Sequence, residues 1–304
     1  MVDLYRLAEE LNIHDIAVCS AEPFRDVEHI LHKDVTLDIF PPFTETDIHK
    51  RVEPKETMKD AASFLVILEH YEPEIYKKRD GRYGNISPAA SGEDYHRVVR
   101  RKLNSLVDAL KTEYPNGDYM AFVDNSPFSE KHIAVRTGLG RILKNGLFYS
   151  KTFGSRCFIG IVLTNLPVEI WNLERRKDGQ NRWFDRCLSC NACIQLCPGN
   201  ALNYDGMNSY RCVSYLTQKK EELTDDEKTK MGAHIYGCDV CQKVCPLNKK
   251  IPEGYETGSE ISLDELMTMT NKGFKLKYQK TAAGWRGKKQ LQKNAEIALK
   301  NMER

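Results

Sequence analysis

Apolar residues recur at two different spacings through about the first 170 residues of the chain. Leu4, Leu7 and Leu11 share one face of a predicted first helix, residues 95–110 repeat at the same helical spacing, and another helix passes through Val135. Between the helices lie short apolar runs of strand length, at residues 16–19, 62–68, 119–123 and 157–163. Alternating helices and buried strands predict an α/β layer domain.

Charge and cysteine content change along the chain and suggest where this domain ends. Residues 172–182 are strongly charged and favour a linker, and cysteines become frequent beyond Trp183. We therefore predict three parts: an α/β domain at residues 1–175, a cysteine-rich domain at 176–260 and a helical tail at 261–304. From Lys272 to Arg304 the tail has ten Lys or Arg against two Glu. This pattern is typical of a solvated helical face, and a nucleic-acid contact is the alternative.

The overall composition is that of a globular protein, with 304 residues, 41% of them hydrophobic and a net charge of +2. No apolar run approaches the ~20 residues of a membrane span, and the N-terminal sequence does not resemble an export signal. Ten cysteines without an export signal indicate a reducing compartment, where clustered cysteines usually bind metal. We expect a cytoplasmic protein without a membrane partner.

Eight of the ten cysteines form two linked motifs. The first is Cys187-x2-Cys190-x2-Cys193-x3-Cys197-Pro198, and the second, Cys238-x2-Cys241-x3-Cys245-Pro246, lacks a leading cysteine that Cys212 can supply. In such paired motifs the last cysteine of one motif binds the other cluster. The spacing predicts two [4Fe–4S] clusters, one held by Cys187, Cys190, Cys193 and Cys245, the other by Cys197, Cys212, Cys238 and Cys241. A pair of zinc ribbons is the alternative, but zinc sites do not need the x3-Cys-Pro ending.

The two remaining cysteines, Cys19 and Cys157, lie in apolar strand-like segments and are expected to be core residues. Two clusters alone conduct electrons, so the first domain is expected to hold the group that receives them. The sequence contains no Gly-x-Gly-x-x-Gly after a strand and no Asp-x-His-x-x-Gly, the cobalamin motif with a ligating histidine.

Asp124 follows the predicted strand at 119–123 directly. Ligands of open α/β sheets bind beyond the carboxyl ends of strands, which makes this residue a candidate for a site. The following Asn125, Ser126 and Pro127 form a typical turn sequence, so an aspartate that only caps a turn is the alternative.

These segments together resemble the epoxyqueuosine reductase family, and the resemblance extends along nearly the whole chain. The motifs that carry it are Gly92-Glu-Asp-Tyr-His96, Val123-Asp-Asn-Ser-Pro127, Arg136-Thr-Gly-Leu-Gly140 with Lys144-Asn145, Arg211-Cys-Val-Ser-Tyr-Leu-Thr217 and Ile235-Tyr-Gly-Cys-Asp-Val-Cys-Gln242. The displaced Cys212, unusual for a plain ferredoxin, is normal in this family.

The resemblance implies a nitroreductase-like, cobalamin-binding α+β sandwich at residues 1–175, followed by a two-cluster ferredoxin-like domain. It also implies reductive removal of the epoxide oxygen of epoxyqueuosine in tRNA, with base-off cobalamin, a low-potential electron donor and a monomeric enzyme. Asp124 would be the catalytic proton donor. The other expected cobalamin contacts are Arg51, Lys144, Phe148, Ile159, Ser214 and Asp239.

This sequence departs from the family pattern in two places. Arg141 stands where an aromatic residue is usual, and Leu143 replaces a glycine beside the expected pocket. The family also commonly continues into a helical-repeat domain that contacts tRNA, whereas this chain ends where that domain would begin. Two alternatives therefore stay open: a related cobalamin and iron–sulfur reductase of a small molecule, similar to reductive dehalogenases, and a non-enzymatic electron carrier with two clusters.

Overall fold

The computed structural model describes residues 3–37, 39, 42–77, 79–171, 182–253 and 255–304, and for Arg182 and Trp183 the backbone alone. The described strands are β1 (Asp15–Ser20), β2 (Ser63–His70), β3 (Ile75–Lys77), β4 (Tyr83–Ile86), β5 (Tyr119–Phe122), β6 (Gly140–Ile142), β7 (Phe148–Ser150), β8 (Cys157–Thr164), β9 (Leu202–Asn203), β10 (Gly206–Met207), β11 (His234–Tyr236), β12 (Tyr255–Thr257) and β13 (Ser259–Ser262). The described helices are α1 (Leu4–Glu10), α2 (Arg25–Thr36), α3 (Ile48–Val52), α4 (Pro88–Ser91), α5 (Tyr95–Glu113), α6 (Glu130–Arg136), α7 (Arg182–Ser189), α8 (Ala192–Gln195), α9 (Val213–Leu216), α10 (Asp225–Met231), α11 (Val240–Lys243), α12 (Leu263–Thr268), α13 (Asn271–Tyr278) and α14 (Lys288–Met302). Short 3₁₀ turns lie at Pro54–Glu56, Val168–Ile170, Ser209–Arg211 and Ala282–Gly284.

The chain divides into two compact units that interleave along the sequence. Met1–His70 and His96–Leu188 form one unit, and Tyr71–Tyr95 and Ser189–Arg304 form the other. This differs from the predicted three-part division, because the segment after β2 pairs with strands near the C-terminus and the basic tail packs in the second unit. The predicted boundary between residues 175 and 176, and the predicted linker up to its last residue, lie outside the described residues.

An antiparallel sheet of order β1-β2-β8-β5 forms the centre of the first unit. Strands β2 and β8 pair from Ser63 opposite Thr164 to His70 opposite Cys157, and the middle of both strands is fully buried. Each of the four strands matches a segment predicted from the apolar runs to within two residues. Both faces of the sheet are covered, and this is why β2 and β8 are continuously apolar.

Helices cover the two faces. On one face, α5 packs so closely that a Cβ atom on Gly160 would lie 2.6 Å from Val99 Cγ1. On the other face, Val27 of α2 and Ile133 of α6 join Phe64 in one apolar cluster. The mixed α/β fold expected from the sequence is therefore present, with antiparallel strands between the helical layers.

The second unit is organised around a sheet of order β11-β4-β13. Strand β4 pairs in parallel with β11 and antiparallel with β13, while β3 pairs with β12. Helices α12, α13 and α14 bury apolar residues against this sheet, among them Leu266, Phe274 and Leu291. The basic C-terminal segment is thus an integral part of the unit, and its lysines occupy the outer face of helices whose inner face is apolar.

Among the described residues, no helix is both long enough and apolar enough to cross a membrane.

Asn294 joins α14 to the rest of the second unit. Its side chain is fully buried, and Nδ2 donates hydrogen bonds to the carbonyls of Thr217 at 2.7 Å and Ile235 at 2.8 Å. We expect Asn294→Ala to lower the free energy of unfolding by ~2 kcal/mol, because the Ile235 carbonyl loses this donor and the Thr217 carbonyl keeps only the longer bond from Gln290 Nε2 at 3.4 Å. Chemical denaturation measures this, with exposed Glu296→Ala on the same helix as the control. A loss no larger than that of the control would contradict this role.

Candidate active site and metal centre

Strand β5 ends in a strained turn centred on Asp124. The Asn125 N–H donates to the Val123 carbonyl at 2.7 Å, so the chain reverses over three residues. Asp124 has a φ of 57°, in the left-handed region that few residues other than glycine adopt. Three-residue turns with a positive φ are rare and strained, and strain of this kind is concentrated at functional sites. The carboxyl group at this turn is about half exposed, at 48%.

Helix α5 brings a histidine to the Asp124 carboxylate. His96 Nε2 lies 3.4 Å from Asp124 Oδ2, and one helical turn further along α5 the Arg100 guanidinium donates to the Ala121 carbonyl of β5. Residues four positions apart lie on the same face of a helix. One face of α5 therefore holds the edge strand and places an imidazole beside the candidate acid.

A second carboxyl group lies behind Asp124, on the first turn of α6. Glu130 Oε2 accepts a hydrogen bond from the Asp124 N–H at 3.3 Å. Burial raises the pKa of Glu130 to about 8, and the negative charge of Asp124 raises it as well. The Ser126 hydroxyl, the Asp124 N–H and His96 act in the opposite direction. Glu130 is therefore predominantly protonated at neutral pH.

Two of the expected pocket residues lie on one face of the sheet near this turn. Phe122, the last residue of β5, pairs with Ile161 of β8, and Ile159 lies two positions before Ile161 on the same face of β8. Phe148 is buried in the apolar cluster that contains Ile161, and Ile159 packs against that cluster. Ile159 thus lies on the same sheet face as Phe122, the last residue of β5, and Phe148 of β7 belongs to the apolar cluster against which Ile159 packs.

A buried positive region lies on the other side of α6. Arg51 is 6% exposed and donates from Nη1 to the Glu45 carbonyl at 3.2 Å. Burial lowers the pKa of both Arg51 and Lys131, and the charge of Asp34 raises both in part. Lys131 also donates to the Gly146 carbonyl at 3.1 Å. This contact ties α6 to the β6–β7 loop, which carries Lys144.

The residues that depart from the family pattern have defined places in the structure. The Arg141 guanidinium lies 5.3 Å from the ring centre of Phe184, and Leu143 is buried at 5% exposure. Lys144 Nζ donates to the Leu188 carbonyl at 2.6 Å. The loop before Lys144 is thus closed by packing with residues of α7.

Several motif cysteines of the second unit lie close enough to influence one another's pKa. The pKa of Cys212 is raised by burial and also by its neighbour Cys197, while the pKa of Cys238 is raised to about 12 by burial and by both of these thiols. Burial likewise raises the pKa of Cys241, with Cys238 and Cys212 as charged neighbours. Cys193 is a further charged neighbour of Cys241, so the assignment of Cys197, Cys212, Cys238 and Cys241 to one cluster stays a prediction.

Glycine permits the close backbone approach that this grouping needs. A Cβ atom on Gly199 would lie 2.0 Å from the Arg211 carbonyl, so only glycine allows the loop after Cys197 to pass beside the residue before Cys212. The Ala201 N–H also lies 3.3 Å from Cys197 Sγ. Buried thiols with backbone donors suit an iron–sulfur cluster, because iron displaces the thiol protons and N–H groups stabilise the thiolates.

Two family models match the chain. "Epoxyqueuosine reductase QueG, DUF1730" matches residues 51–125, and "4Fe-4S double cluster binding domain" matches residues 186–248. A curated epoxyqueuosine reductase from Lactococcus garvieae is 34% identical over 311 residues, which cover 98% of this chain and 86% of the relative. This chain belongs to the epoxyqueuosine reductase family.

Solved structures of epoxyqueuosine reductases agree. One from Streptococcus thermophilus is 32% identical, has a TM-score of 0.86 and is matched over 99% of this chain and 81% of its own. Another, in complex with an epoxyqueuosine-modified tRNA-Tyr stem loop, is 32% identical with a TM-score of 0.85, over 99% of this chain and 83% of its own. These matches confirm the fold class expected from the sequence.

The double-cluster model spans all eight motif cysteines, and it confirms iron–sulfur clusters over zinc ribbons. Cys190, Cys193 and Cys245 lie in the second unit, whereas Cys187 lies in α7 of the first. Their assignment to one cluster stays a prediction.

Two expected contacts of the epoxyqueuosine reductase pocket lie next to cluster cysteines in the second unit. Asp239 precedes α11 and accepts a hydrogen bond from Gln242 Nε2 at 2.7 Å, and the Ser214 carbonyl accepts one from the Thr217 hydroxyl at 2.8 Å. These two residues belong to the second unit and the other expected contacts belong to the first, so a pocket that they share stays a prediction.

Two residues near Asp124 were not among the predicted site residues. His96 is the last residue of the motif Gly92-Glu-Asp-Tyr-His96, which carried the family resemblance, so this motif could have identified His96 as a site residue. Glu130 lies six residues after Asp124 and had no such signal, because helical spacing cannot show that its side chain turns back to the Asp124 N–H.

We expect Cys238→Ala to remove about half of the iron and the EPR signal of one cluster, and Cys187→Ala to remove those of the other. Cys19→Ala and Cys157→Ala are matched controls that should retain all the iron, since Cys19 is buried in the apolar core and Cys157 packs against it. Iron analysis and EPR on protein purified without oxygen make the measurement. Stoichiometric zinc without absorbance near ~400 nm would contradict the assignment.

Proposed function

We propose that this chain reduces epoxyqueuosine in tRNA to queuosine, with cobalamin at the site of reduction and electrons delivered through the two clusters. The observation that carries the proposal is Asp124, held in a strained turn beside His96 in a chain of the epoxyqueuosine reductase family. The tRNA-bound relative supports tRNA as the substrate over a small molecule. The proposal includes a monomeric enzyme in the cytoplasm, where tRNA is modified, and a low-potential electron donor.

The residues of the first unit suit a corrin. Phe148 and Ile159 supply apolar surface on the face of the sheet that ends at Asp124. The buried Arg51 and the Lys144 amine supply donors for the carboxamide oxygens at the corrin edge. Ser214 and Asp239 complete the proposed set from the second unit. Without a ligating histidine motif in the sequence, the corrin would bind base-off.

Cobalamin, when bound, supplies a reduced cobalt nucleophile, and the clusters supply its electrons one at a time. Removing the epoxide oxygen as water consumes electrons and protons in equal number, so the chain must deliver protons to that oxygen. Asp124 is the proposed donor, because its carboxyl lies at the strand end and general-acid catalysis lowers the barrier as negative charge develops on the oxygen. His96, 3.4 Å away, orients the carboxyl and is placed to exchange a proton with it.

Cofactor binding has a direct test. Anaerobic reconstitution with iron, sulfide and cobalamin should give a stoichiometric corrin spectrum that is retained through gel filtration. A corrin that separates from the protein would favour the electron carrier with two clusters. Conversion of epoxyqueuosine-modified tRNA then distinguishes the tRNA enzyme from a reductase of small molecules.

We expect Asp124→Asn to lower turnover by ~100-fold or more while both clusters and the corrin stay bound, because an amide cannot donate a carboxylic proton. Asn adopts the left-handed conformation readily, so the turn should persist. Turnover and cofactor content are measured on one preparation, with exposed Asp108→Asn of α5 as the control. Unchanged turnover at full occupancy would show that Asp124 only caps the turn.

Helix α13 is the surface we expect to contact tRNA phosphates. It exposes Lys272 and Lys275, with Lys280 just beyond its end, and Trp285 nearby is 55% exposed. Changing all three lysines to Gln should weaken tRNA binding and reduce the slope of log affinity against log salt by about 2. Exposed Lys111→Gln in the first unit is the control. A salt-independent affinity would contradict a phosphate contact.

A further inference from the structure

The Glu130 carboxyl is linked to the active-site turn through the main chain of Asp124, and the Ser126 hydroxyl is a second hydrogen-bonding neighbour. Glu130 begins α6, and its Oε2 accepts the Asp124 N–H at 3.3 Å. The other oxygen, Oε1, is buried and has no hydrogen-bond partner within the described part of the chain. Phe128 and Ser129, the residues just before Glu130, are buried at 5% and 9% exposure. Glu130 itself is half-buried, and its Oε2 is directed at the main chain of Asp124.

This contact falls on the strained residue itself. Asp124 has a φ of 57° and is the centre of a three-residue turn, a conformation that persists only where the surroundings support it. The Asn125 N–H closes the turn on the Val123 carbonyl, and the Asp124 N–H within the turn donates to Glu130 Oε2. Glu130 supplies the acceptor from a helix that is itself fixed by Ile133 and Ala134 in the core.

We propose that Glu130 is a positioning residue whose buried carboxyl, by accepting the Asp124 N–H, holds the turn that places the Asp124 carboxyl beside His96. The proposal rests on the proposed role of Asp124 as proton donor. Glu130 acts through the conformation of its neighbour Asp124.

The protonation state of Glu130 gives this role a pH dependence. The charged or titratable groups that face it are Asp124 from the turn after β5 and His96 from α5, with the Ser126 hydroxyl also close. Burial raises its pKa from the ordinary 4.5 to about 8, so the carboxyl is neutral at pH 7. Above about pH 8 it ionises and places a second negative charge beside Asp124. We expect the turn, and turnover with it, to be impaired there.

The same shift makes a prediction for stability. Because the folded-state pKa of Glu130 lies above its unfolded value, its contribution to stability is complete below about pH 4.5 and is lost as the pH rises through about 8. Gln keeps the size and the acceptor but does not ionise. The melting temperature of Glu130→Gln relative to wild type should therefore rise as the pH is raised from 5 to about 8. A difference that does not change with pH would overturn the assignment of a neutral Glu130.

The positioning role is tested by hydrogen–deuterium exchange of residues 123–129, without any need for turnover. In the reconstituted protein, Glu130→Ala should speed exchange of this segment by ~10-fold, because one hydrogen bond and its support of the turn are lost. Glu130→Gln should restore most of the protection, and exposed Glu9→Gln of α1 is the control. Wild-type protection in Glu130→Ala would overturn the proposal.

Kinetics on epoxyqueuosine-modified tRNA complete the test. Glu130→Ala should lower kcat by ~10- to 100-fold with little change in KM, because it misplaces a group that acts in the chemical step. Glu130→Gln should recover most of that loss and should lack the decline of kcat above about pH 8. Equal losses in Ala and Gln would overturn the positioning role. If the wild type shows no turnover while hydrogen–deuterium exchange responds as expected, the proposed function is wrong, but Glu130 still stabilises the turn at Asp124.

Discussion

The long antiparallel pairing of β2 with β8 is the interaction on which the first unit depends. It joins Ser63–His70 to Cys157–Thr164 through a ladder whose central side chains are fully buried on both faces. Such a ladder fixes register strongly, because a slip of one residue would reverse which side chains meet α5 and which meet α6. Strand β5 then pairs with β8 and inherits that register, and its end at Phe122 sets the position of Asp124. The position of the Asp124 turn therefore depends on apolar burial at the centre of the sheet.

Helix α6 places three consecutive ionisable side chains in a poorly solvated environment. Glu130 and Lys131 are consecutive residues, and burial shifts the pKa of each toward its neutral form. Burial also keeps His132 neutral, with a pKa near 4. Burying ionisable groups is unfavourable unless they are neutralised or hydrogen-bonded, and these residues use both solutions. Glu130 accepts from the Asp124 main chain, and Lys131 donates to the Gly146 carbonyl. This short helix thereby contacts the Asp124 turn through Glu130 and the β6–β7 loop through Lys131.

The second unit is organised differently, because its cysteines lie in loops and short helices and not along a long strand pairing. Glycine at position 199 lets the loop after Cys197 pass beside the residue before Cys212, and Cys212, Cys238 and Cys241 are half-buried. Helices from the C-terminal segment supply the apolar core beneath them, and Asn294 binds the carbonyls of Thr217 and Ile235. The segment that is basic on its outer face is therefore also what stabilises the unit that carries the clusters.

The sequence by itself determined the features that depend on local spacing. Apolar runs located all four strands of the central sheet, and in β2 and β8 these runs are long because both faces of the sheet are covered. Cysteine spacing determined the clusters, since a few residues between thiolates are what a cubane needs. The tertiary structure alone decided what depends on distant residues. It placed residues 71–95 with the second unit through the pairing of β4 with β11 and β13, which no local pattern records. It also brought His96 and Glu130 to Asp124 and gave that residue its positive φ, because side-chain direction and backbone strain follow from the packing of α5 and α6 on the sheet.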